Sequence, residues 1–511
     1  MADKTKFIEE LNAKYQPKGE YIVLGKGMLD GEVITEVDVN IPLKTINRHG
    51  LIAGATGTGK TKTLQVFVEQ LSHKGIPTLV MDIKGDLSGI AVEGEQNDKI
   101  NERYAKTKLP YQPQSFPVEL MTISAEKGLK LRATVTEFGP VLLSKILGLN
   151  DTQSSIMSIV FKYADDKGLP LIDLDDLKKT LQYVTDNDEG KKELASNYGA
   201  ISPASLGAIL RSIVALEQQG ATGFFGEPSF DVEDLLQTRG GKGVVNVLRV
   251  ADIQNQPQLF STFMLSLFAE IYMTFPEEGD SGKPKLVLFI DEAHLIFNEA
   301  SKALLSQIET MVKLIRSKGV GIYFITQIPG DVPENVLAQL GLKIQHALRG
   351  FTAKDRKEID KAVENYPITE YYDAGNLIQN LGIGEAFVTA LDEKGIPTPL
   401  VQTYLISPES RMDVLSSDEI DDLVNASDLA EKYNKEIDKE SAYEILTKRM
   451  ETAAAAEQEV EQEKSTVRQP KEEPGMFEQV LKSRAGRTFT NTLAREGAKF
   501  VLGMFGLKMR R

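Results

Sequence analysis

The sequence contains no cysteine, and it has only four histidines among its 511 residues. A chain without cysteine forms no disulfide and offers neither a thiolate nucleophile nor a cysteine metal site. The histidines, at positions 49, 73, 294 and 346, are too scattered along the sequence to suggest a metal cluster. A disulfide-stabilised scaffold, a cysteine-dependent enzyme and a zinc site built on cysteine are therefore excluded.

Long apolar runs are also missing. No stretch approaches the length of a membrane span, and the first residues, MADKTKFIEELNAKYQ, lack the apolar centre of a signal peptide. We therefore expect a cytoplasmic protein. The formal net charge of −15 argues against broad, nonspecific binding of nucleic acid, although it permits a local basic lining inside a pore.

Residues 54–61 carry the strongest motif in the chain. The segment Gly54-Ala55-Thr56-Gly57-Thr58-Gly59-Lys60-Thr61 satisfies every fixed position of the P-loop pattern G-x-x-x-x-G-K-[ST]. The glycines let backbone amides point at phosphate oxygens, Lys60 brings a positive charge to the β- and γ-phosphates, and the Thr61 hydroxyl suits Mg²⁺. A short apolar run precedes the loop, and apolar residues recur at helical spacing after it. The sequence thus predicts an ATP site at a helix N-terminus, where the helix dipole favours an anion.

A second motif follows a continuous apolar run over residues 285–290, which ends in Asp291 and Glu292. A buried strand that delivers two acids to the edge of a sheet is a Walker B element. Asp291 is predicted to hold Mg²⁺, and Glu292 is predicted to orient and deprotonate the attacking water. An extra strand between the P-loop strand and the Walker B strand is typical of NTPases with a catalytic glutamate.

Further polar residues follow the neighbouring elements. Gln327 ends the next strand, where a neutral side chain can touch both the γ-phosphate and the attacking water. Arg316, which we expect beside the ATP edge of the sheet, and Arg349 are candidates to stabilise charge in the transition state, and in ring motors such an arginine comes from the neighbouring subunit. A surface or ion-paired residue is the alternative for each arginine, and a polar cap at the end of the strand is the alternative for Gln327. Lys84 and Asp86 are weaker candidates, for which a solvated loop is the favoured interpretation.

Composition and the spacing of apolar and charged residues predict several segments. With 41% apolar and 26% charged residues, the chain is typical of a soluble globular protein, and its length allows two or three domains. We predict an α/β fold with a parallel central sheet, divided into an N-terminal helix with short strands (1–45), the P-loop half of the core (46–132), a helical insertion (133–232), the Walker B half (233–415), a helical segment (416–450), a linker (451–475) and a basic tail (476–511). The tail has eight Lys or Arg residues against two Glu. It is predicted either to contact an anionic membrane or a protein partner, or to be a solubilised, partly disordered end.

Five segments together resemble the HerA/FtsK group of P-loop ATPases, and within it bacterial HerA-like proteins of the YjgR type: GLIAGATGTGKT, MDIKGDLSG, LVLFIDEAHLIF, IRSKGVGIYFITQ and GEAFVTALDEKG. The resemblance covers roughly residues 20–450, and its motifs are much more specific for the ATPase group than for a substrate. It implies a RecA-like core, usually a hexameric ring, and ATP-driven movement of a polymer through a central pore.

HerA itself carries an N-terminal β-barrel that docks a nuclease. Because about 45 residues precede the P-loop strand here, we do not expect that partnership.

The leading prediction is a Mg²⁺-dependent ATPase with a RecA-like α/β core that forms a hexameric homo-oligomer and translocates nucleic acid, with DNA as the expected partner. One alternative is an ATPase that moves or remodels protein, which the acidic composition favours. Another is a nucleotide-gated switch whose tail binds a partner. Stimulation of turnover by DNA separates the first function from the other two.

Overall fold

The computed structural model describes residues 3–466, apart from 254, 255, 280, 300, 301, 436 and 438. The chain divides into two compact units. The first comprises Met1–Arg132, Gln219–Phe224 and Pro228–Glu436, and the second comprises Ala133–Gln218, Phe225–Glu227 and the described residues from Ile437 onward. The predicted basic tail and the end of the predicted linker lie outside the described residues.

The first unit contains all the described strands: β1 Tyr21–Leu29, β2 Glu32–Pro42, β3 Gly50–Ala53, β4 Thr78–Asp82, β5 Val118–Thr122, β6 Leu129–Lys130, β7 Thr238–Arg239, β8 Lys242–Gly243, β9 Val245–Arg249, β10 Leu286–Ile290, β11 Val320–Thr326, β12 Leu342–Gln345, β13 Glu385–Thr389 and β14 Val401–Leu405. Twelve of these strands form one sheet in the order β2-β1-β14-β13-β12-β3-β11-β10-β4-β9-β5-β6, and β7 pairs with β8. All neighbours from β12 to β6 in that order are parallel. The mostly parallel sheet confirms the predicted α/β class.

Antiparallel strands complete one side of this sheet. Strands β13 and β14 form an antiparallel pair, and β13 pairs with β12. The predicted N-terminal strands β1 and β2 join the same sheet, because β1 pairs with β14. Val37, Val39 and Ile41, at alternate positions of β2, are buried.

The described helices, in chain order, are α1 Lys4–Tyr15, α2 Lys60–His73, α3 Asp98–Thr107, α4 Val135–Ile146, α5 Asp151–Lys167, α6 Leu174–Asp186, α7 Asp188–Asn197, α8 Pro203–Gln218, α9 Pro257–Thr274, α10 His294–Glu299, α11 Lys302–Ile315, α12 Glu334–Leu337, α13 Ala353–Glu364, α14 Ala374–Asn380, α15 Ser417–Asn425, α16 Ala430–Tyr433 and α17 Ala442–Thr466. Helices α4–α8 and α17 belong to the second unit. Within the described residues, none of these helices has both the length and the apolar character that a membrane span requires.

The strands around the P-loop form the core of the first unit. Every residue of β3, β10 and β11 is buried, as expected of continuous apolar runs in a parallel sheet covered on both faces. Helix α2 packs its apolar face on these strands, and the Phe67 ring lies 5.6 Å from Phe289 and 5.0 Å from Tyr323 between centroids. This packing fixes the helix that follows the P-loop.

The described part of the second unit is helical, in keeping with the helical insertion predicted from residue 133. Its helices start with local capping: the Asn150 side chain accepts from the Gln153 amide at the start of α5, and that of Asp173 accepts from the Asp176 amide at the start of α6. Such caps satisfy amides that lack a partner within the helix. Helix α17 extends to Thr466, so the first part of the predicted linker is helical.

Candidate functional site

The P-loop connects β3 to α2 at the carboxyl ends of the parallel strands. Gly54, Gly57 and Gly59 have φ angles of 156°, 78° and 112°, which side chains of L-residues rarely allow. A Cβ at Gly54 would lie only 2.5 Å from the Cβ of His346, so this position has no room for a side chain. Helix α2 begins at Lys60, and its first amides lack partners within the helix. This loop and helix start have the form of a phosphate-binding site.

Three separate segments hold the P-loop in place. The amide of Gly54 donates to the Thr326 carbonyl at 3.2 Å, and the amide of Ala55 donates to the Ala347 carbonyl at 2.8 Å. On the other side, the amide of Gly384 donates to the Thr58 carbonyl at 3.2 Å. The loop is therefore anchored by the ends of β11 and β12 and by the turn before β13.

Lys60, the P-loop lysine, points back over the loop. Its Nζ donates to the carbonyl oxygens of Gly54 at 2.6 Å and Ala55 at 3.2 Å. Burial lowers the pKa of this lysine, the positive charge of Lys84 lowers it further, and the nearby Walker B acids oppose the shift. Thr61 follows at the first turn of α2 and is partly buried.

The Walker B acids lie at the same edge of the sheet. Strand β10 ends at Ile290, which pairs with Phe324 of β11, and β11 in turn ends beside Ala53. Asp291 and Glu292 follow, with only 2% and 7% of their surfaces exposed. Strand β11 lies between β3 and β10, so the extra strand expected between the P-loop and Walker B strands is present.

The two acids differ in their surroundings. Burial raises the pKa of Asp291 to about 6, and the positive charge of Lys84 opposes this rise. Glu292 has a φ of 45°, which is uncommon for a residue other than glycine, and its amide donates to Asp291 Oδ1 at 2.9 Å. Its Oε2 is buried without a hydrogen bond, and the Nδ1 of His294 lies 3.2 Å away.

Lys84, which the sequence offers only as a weaker candidate, lies at this site. Its Nζ lies 2.5 Å from Glu292 Oε1 and 3.9 Å from Asp291 Oδ2. Lys84 is exposed, as the favoured interpretation of a loop residue predicted, but its ammonium is paired with the acids of this site. The signal in the sequence was its place two residues after β4, the strand that neighbours β10 in the sheet.

His346 lies next to the P-loop and was not predicted for this site. It is fully buried, and its Nε2 lies 3.0 Å from the Thr63 hydroxyl of α2. Burial lowers the pKa of this imidazole to about 3, and the charge of Lys60 adds to the effect. A neutral histidine thus lies next to Gly54 of the P-loop and contacts Thr63 of α2.

Two of the remaining candidates lie at the P-loop edge. Gln327 is exposed directly after β11, next to Thr326, whose carbonyl accepts from the P-loop. Arg349 is exposed two residues after Ala347, the acceptor for the Ala55 amide. The guanidinium of Arg349 donates to the Gln379 carbonyl.

Arg316 lies at the opposite end of the parallel strands from the P-loop, near the start of β11. It precedes β11, whose first residue Val320 pairs with Leu286, the first residue of β10. Its charge acts on His49, which comes just before β3 and whose pKa falls to about 4, mainly because of burial. The expected position beside ATP is wrong because the helix after a parallel strand returns the chain to the start of the next strand. Its role across a subunit interface stays an untested prediction.

The model of a family described as helicase HerA-like C-terminal matches residues 29–506. The chain belongs to this family. The resemblance to P-loop ATPases of the HerA/FtsK type, which five motifs carried in the sequence, is thereby confirmed.

Individual relatives of this HerA-like chain are distant. The DNA double-strand break repair helicase HerA of Saccharolobus solfataricus is 22% identical over 385 residues, which make up 74% of this chain and 68% of that protein. Among solved structures, the unbound monoclinic form of the bacterial conjugative coupling protein TrwBΔN70 has a TM-score of 0.50 and 16% identity, covering 80% of this chain and 95% of that one. Its trigonal form with sulphate has a TM-score of 0.50 and 15% identity, covering 81% and 95%. The likeness to TrwB supports the RecA-like α/β fold alone.

The residues of this HerA-like site fit Mg²⁺ with a nucleotide phosphate. The Thr61 hydroxyl and the Asp291 carboxylate are oxygen ligands of the kind that Mg²⁺ prefers, and this ion commonly takes its other ligands from phosphates and water. Among the described residues, no cluster of three or more His, Asp or Glu side chains could hold a metal by itself.

Proposed function

We propose that this HerA-like protein is a Mg²⁺-dependent ATPase that uses Glu292 for hydrolysis and couples hydrolysis to movement along nucleic acid. The observation that carries this proposal is the convergence of the P-loop, Asp291, Glu292 and Gln327 at one edge of the sheet in a chain of the HerA family. The match to a DNA repair helicase supports nucleic acid as the polymer.

Each residue has a distinct role in the proposed reaction. Lys60 and the P-loop amides bind the phosphates, while Thr61 and Asp291 hold Mg²⁺. Glu292 accepts the proton of the attacking water, and Gln327 orients that water. The bound metal ion supplies charge neutralisation on the phosphate oxygens.

We further propose that the protein acts as a hexameric ring in which Arg349 of one subunit reaches the ATP of its neighbour. Arg349 is exposed and lies at the edge that carries the P-loop, so a neighbouring chain placed against this edge can meet it. An arginine at this place would stabilise the charge that develops on the phosphates.

The test is steady-state ATP hydrolysis by the full chain with no polymer, with single-stranded DNA and with double-stranded DNA, beside a mass measurement by light scattering. We expect Mg²⁺-dependent turnover that DNA stimulates, in an oligomer. Lys60→Ala should remove turnover because backbone amides alone do not replace the lysine contact with the phosphates. Turnover equal to wild type in Lys60→Ala would show that the P-loop is not the site.

Hydrolysis that DNA does not stimulate would instead favour an ATPase that moves or remodels protein. Very slow hydrolysis with tight nucleotide binding would favour a nucleotide-gated switch. Either result contradicts the translocase while leaving the ATP site in place.

A further inference from the structure

The turn after β4 is held rigidly by a buried carboxylate. Asp82 ends β4, and its side chain accepts hydrogen bonds from the amides of Gly85 at 2.7 Å, Asp86 at 3.2 Å and Leu87 at 3.0 Å. Gly85 has a φ of 73°, which closes the turn at little cost for glycine. The backbone beneath Lys84 is therefore fixed.

The Lys84 side chain is more exposed than the two acids that it contacts. The side chain is 36% exposed, whereas those of Asp291 and Glu292 are 3% and 9% exposed. Its Nζ contacts Glu292 closely and Asp291 at longer range, and its charge acts on Lys60 of the P-loop. The Lys84 ammonium thus contacts the Walker B acids and is near enough to Lys60 for their charges to interact.

The charges around Lys84 predict how a bound nucleotide would affect its ammonium group. Lys60 and Lys84 together balance Asp291 and Glu292. A metal ion held by Asp291 would repel the Lys84 ammonium, which lies 3.9 Å from the same carboxylate. A γ-phosphate next to Lys60 would attract it, because two opposite charges close together interact strongly in a partly buried site.

We propose that Lys84 is a second phosphate-binding lysine, which exchanges its ion pair with Glu292 for the γ-phosphate of bound ATP. This inference rests on the proposed function, since it requires ATP at the P-loop. ADP lacks the γ-phosphate and leaves Lys84 paired with Glu292. Lys84 therefore makes ATP, and not ADP, the ligand that releases the Glu292 carboxylate to accept a hydrogen bond from water.

The first experiment measures the affinities of a non-hydrolysable ATP analogue and of ADP by fluorescence titration. Lys84→Ala should weaken the analogue about tenfold or more, as expected for the loss of a charge-assisted hydrogen bond, and should change ADP affinity less than twofold. Lys84→Arg keeps the charge and should restore most of the analogue affinity. Lys60→Ala should weaken both ligands, because it contacts the β-phosphate as well.

The second experiment is a double-mutant cycle between Lys84 and Glu292. Because Lys84 leaves Glu292 to reach the phosphate, Glu292→Gln should tighten the analogue by several-fold in the presence of Lys84. The same substitution should give a clearly smaller gain in the Lys84→Ala background. Equal gains in both backgrounds would mean that Glu292 acts by its own charge and would contradict the exchange.

Lys62 provides a matched control. It lies in the same helix as Lys60, but its Nζ donates to the Met412 carbonyl at 2.5 Å and to Gln65 at 3.3 Å. Lys62→Ala should weaken the analogue and ADP equally or leave both unchanged. If Lys84→Ala behaves in the same way, the proposal is wrong. Failure of the wild-type chain to bind either nucleotide would instead overturn the proposed function itself.

Discussion

At the scale of single residues, two adjacent acids are predicted to do separable work. Glu292→Gln should keep ATP and Mg²⁺ bound and slow hydrolysis about a hundredfold or more, because the water loses its base. Asp291→Asn should instead shift the Mg²⁺ dependence of turnover to higher concentration, because a carboxylate ligand is lost. Metal titrations of turnover and of nucleotide binding compare the two variants. Normal turnover in Glu292→Gln would move the catalytic role to another residue.

His346 predicts a pH effect with a definite sign. Its pKa is about 3 in the folded protein and about 6.5 in an unfolded chain. Between these values the unfolded chain binds a proton that the folded chain does not, so acidification favours unfolding by about 1.4 kcal/mol per pH unit. His346→Gln removes this contribution while keeping a polar group near Thr63. The stability of wild type relative to this variant should therefore fall as the pH drops from about 6.5 towards 4.

Urea unfolding at several pH values measures this difference. Asp82, Asp291 and Glu69 have raised pKa values of about 6, 6 and 7, chiefly because they are buried, and they push stability in the opposite direction. They are present in both proteins, so their effects cancel in the comparison. A constant stability difference across this pH range would show that His346 does not remain neutral in the fold.

These residues also show which parts of the candidate site can be predicted from the sequence and which cannot. The P-loop and Asp291-Glu292 are contiguous patterns, so their chemistry is readable without the fold. His346 and Thr63 are 283 residues apart, and Lys84 meets Glu292 only because β4 and β10 are neighbours in the sheet. Contacts of this kind depend on strand order, which no local pattern specifies.

At the scale of elements, buried parallel strands were predictable because they are continuous apolar runs with polar ends. Their order was not. The N-terminal strands joined the main sheet through β14, which lies near the other end of the first unit's sequence. The sequence places Arg316 at the wrong end of the strands because its position depends on the return direction of α11. Arg349 instead comes shortly after β12, which ends at Gln345, at the end of the strands that carries the P-loop.

Helix α3 offers a prediction about the support of the P-loop. Arg103 donates to the carbonyls of Leu405 at 2.7 Å, Gly384 at 3.2 Å and Ile383 at 3.1 Å, and its guanidinium lies 4.2 Å from the Tyr404 ring centroid. Because the Gly384 amide binds Thr58 of the P-loop, Arg103 holds this turn against the loop. Arg103→Ala should weaken ATP binding about tenfold, consistent with the loss of hydrogen bonds from a charged group.

The matched variant for this contact is Gly384→Ala, whose Cβ would lie 2.7 Å from Arg103 Nη2 at a backbone φ of 74°. It should weaken ATP binding in the same way, while Arg103→Lys should lie between wild type and Arg103→Ala. Titration with ATP and a melting curve for each variant separate binding from stability. Unchanged ATP affinity in folded Arg103→Ala would show that the turn does not position the P-loop.

At the scale of the whole molecule, the candidate site lies within the first unit. The P-loop, Lys84, the Walker B acids, Gln327 and Arg349 all belong to Met1–Arg132 or Pro228–Glu436. The change to helical periodicity near residue 133 indicated where the chain leaves the sheet. The chain re-enters the first unit at Gln219–Phe224 and the second unit at Phe225–Glu227. Neither segment could be predicted, because each is too short to show a helical or strand period.

The last prediction concerns assembly. If Arg349 acts across a subunit interface, activity per chain must rise with protein concentration, because an isolated chain lacks a complete site. Lys60→Ala chains lack their own ATP site, and Arg349→Ala chains keep that site but lack the arginine. In a mixed ring, an intact Arg349 meets an intact P-loop at some interfaces, so part of the activity should return.

The control is Arg316→Ala. Arg316 lies at the other end of the strands in its own chain, so this variant should be active without a partner variant. If verified mixed assemblies stay inactive, Arg349 does not act in trans. If Arg316→Ala is inactive and regains activity with Lys60→Ala, Arg316 has the role that the sequence predicted, reached from the opposite edge of a neighbouring chain.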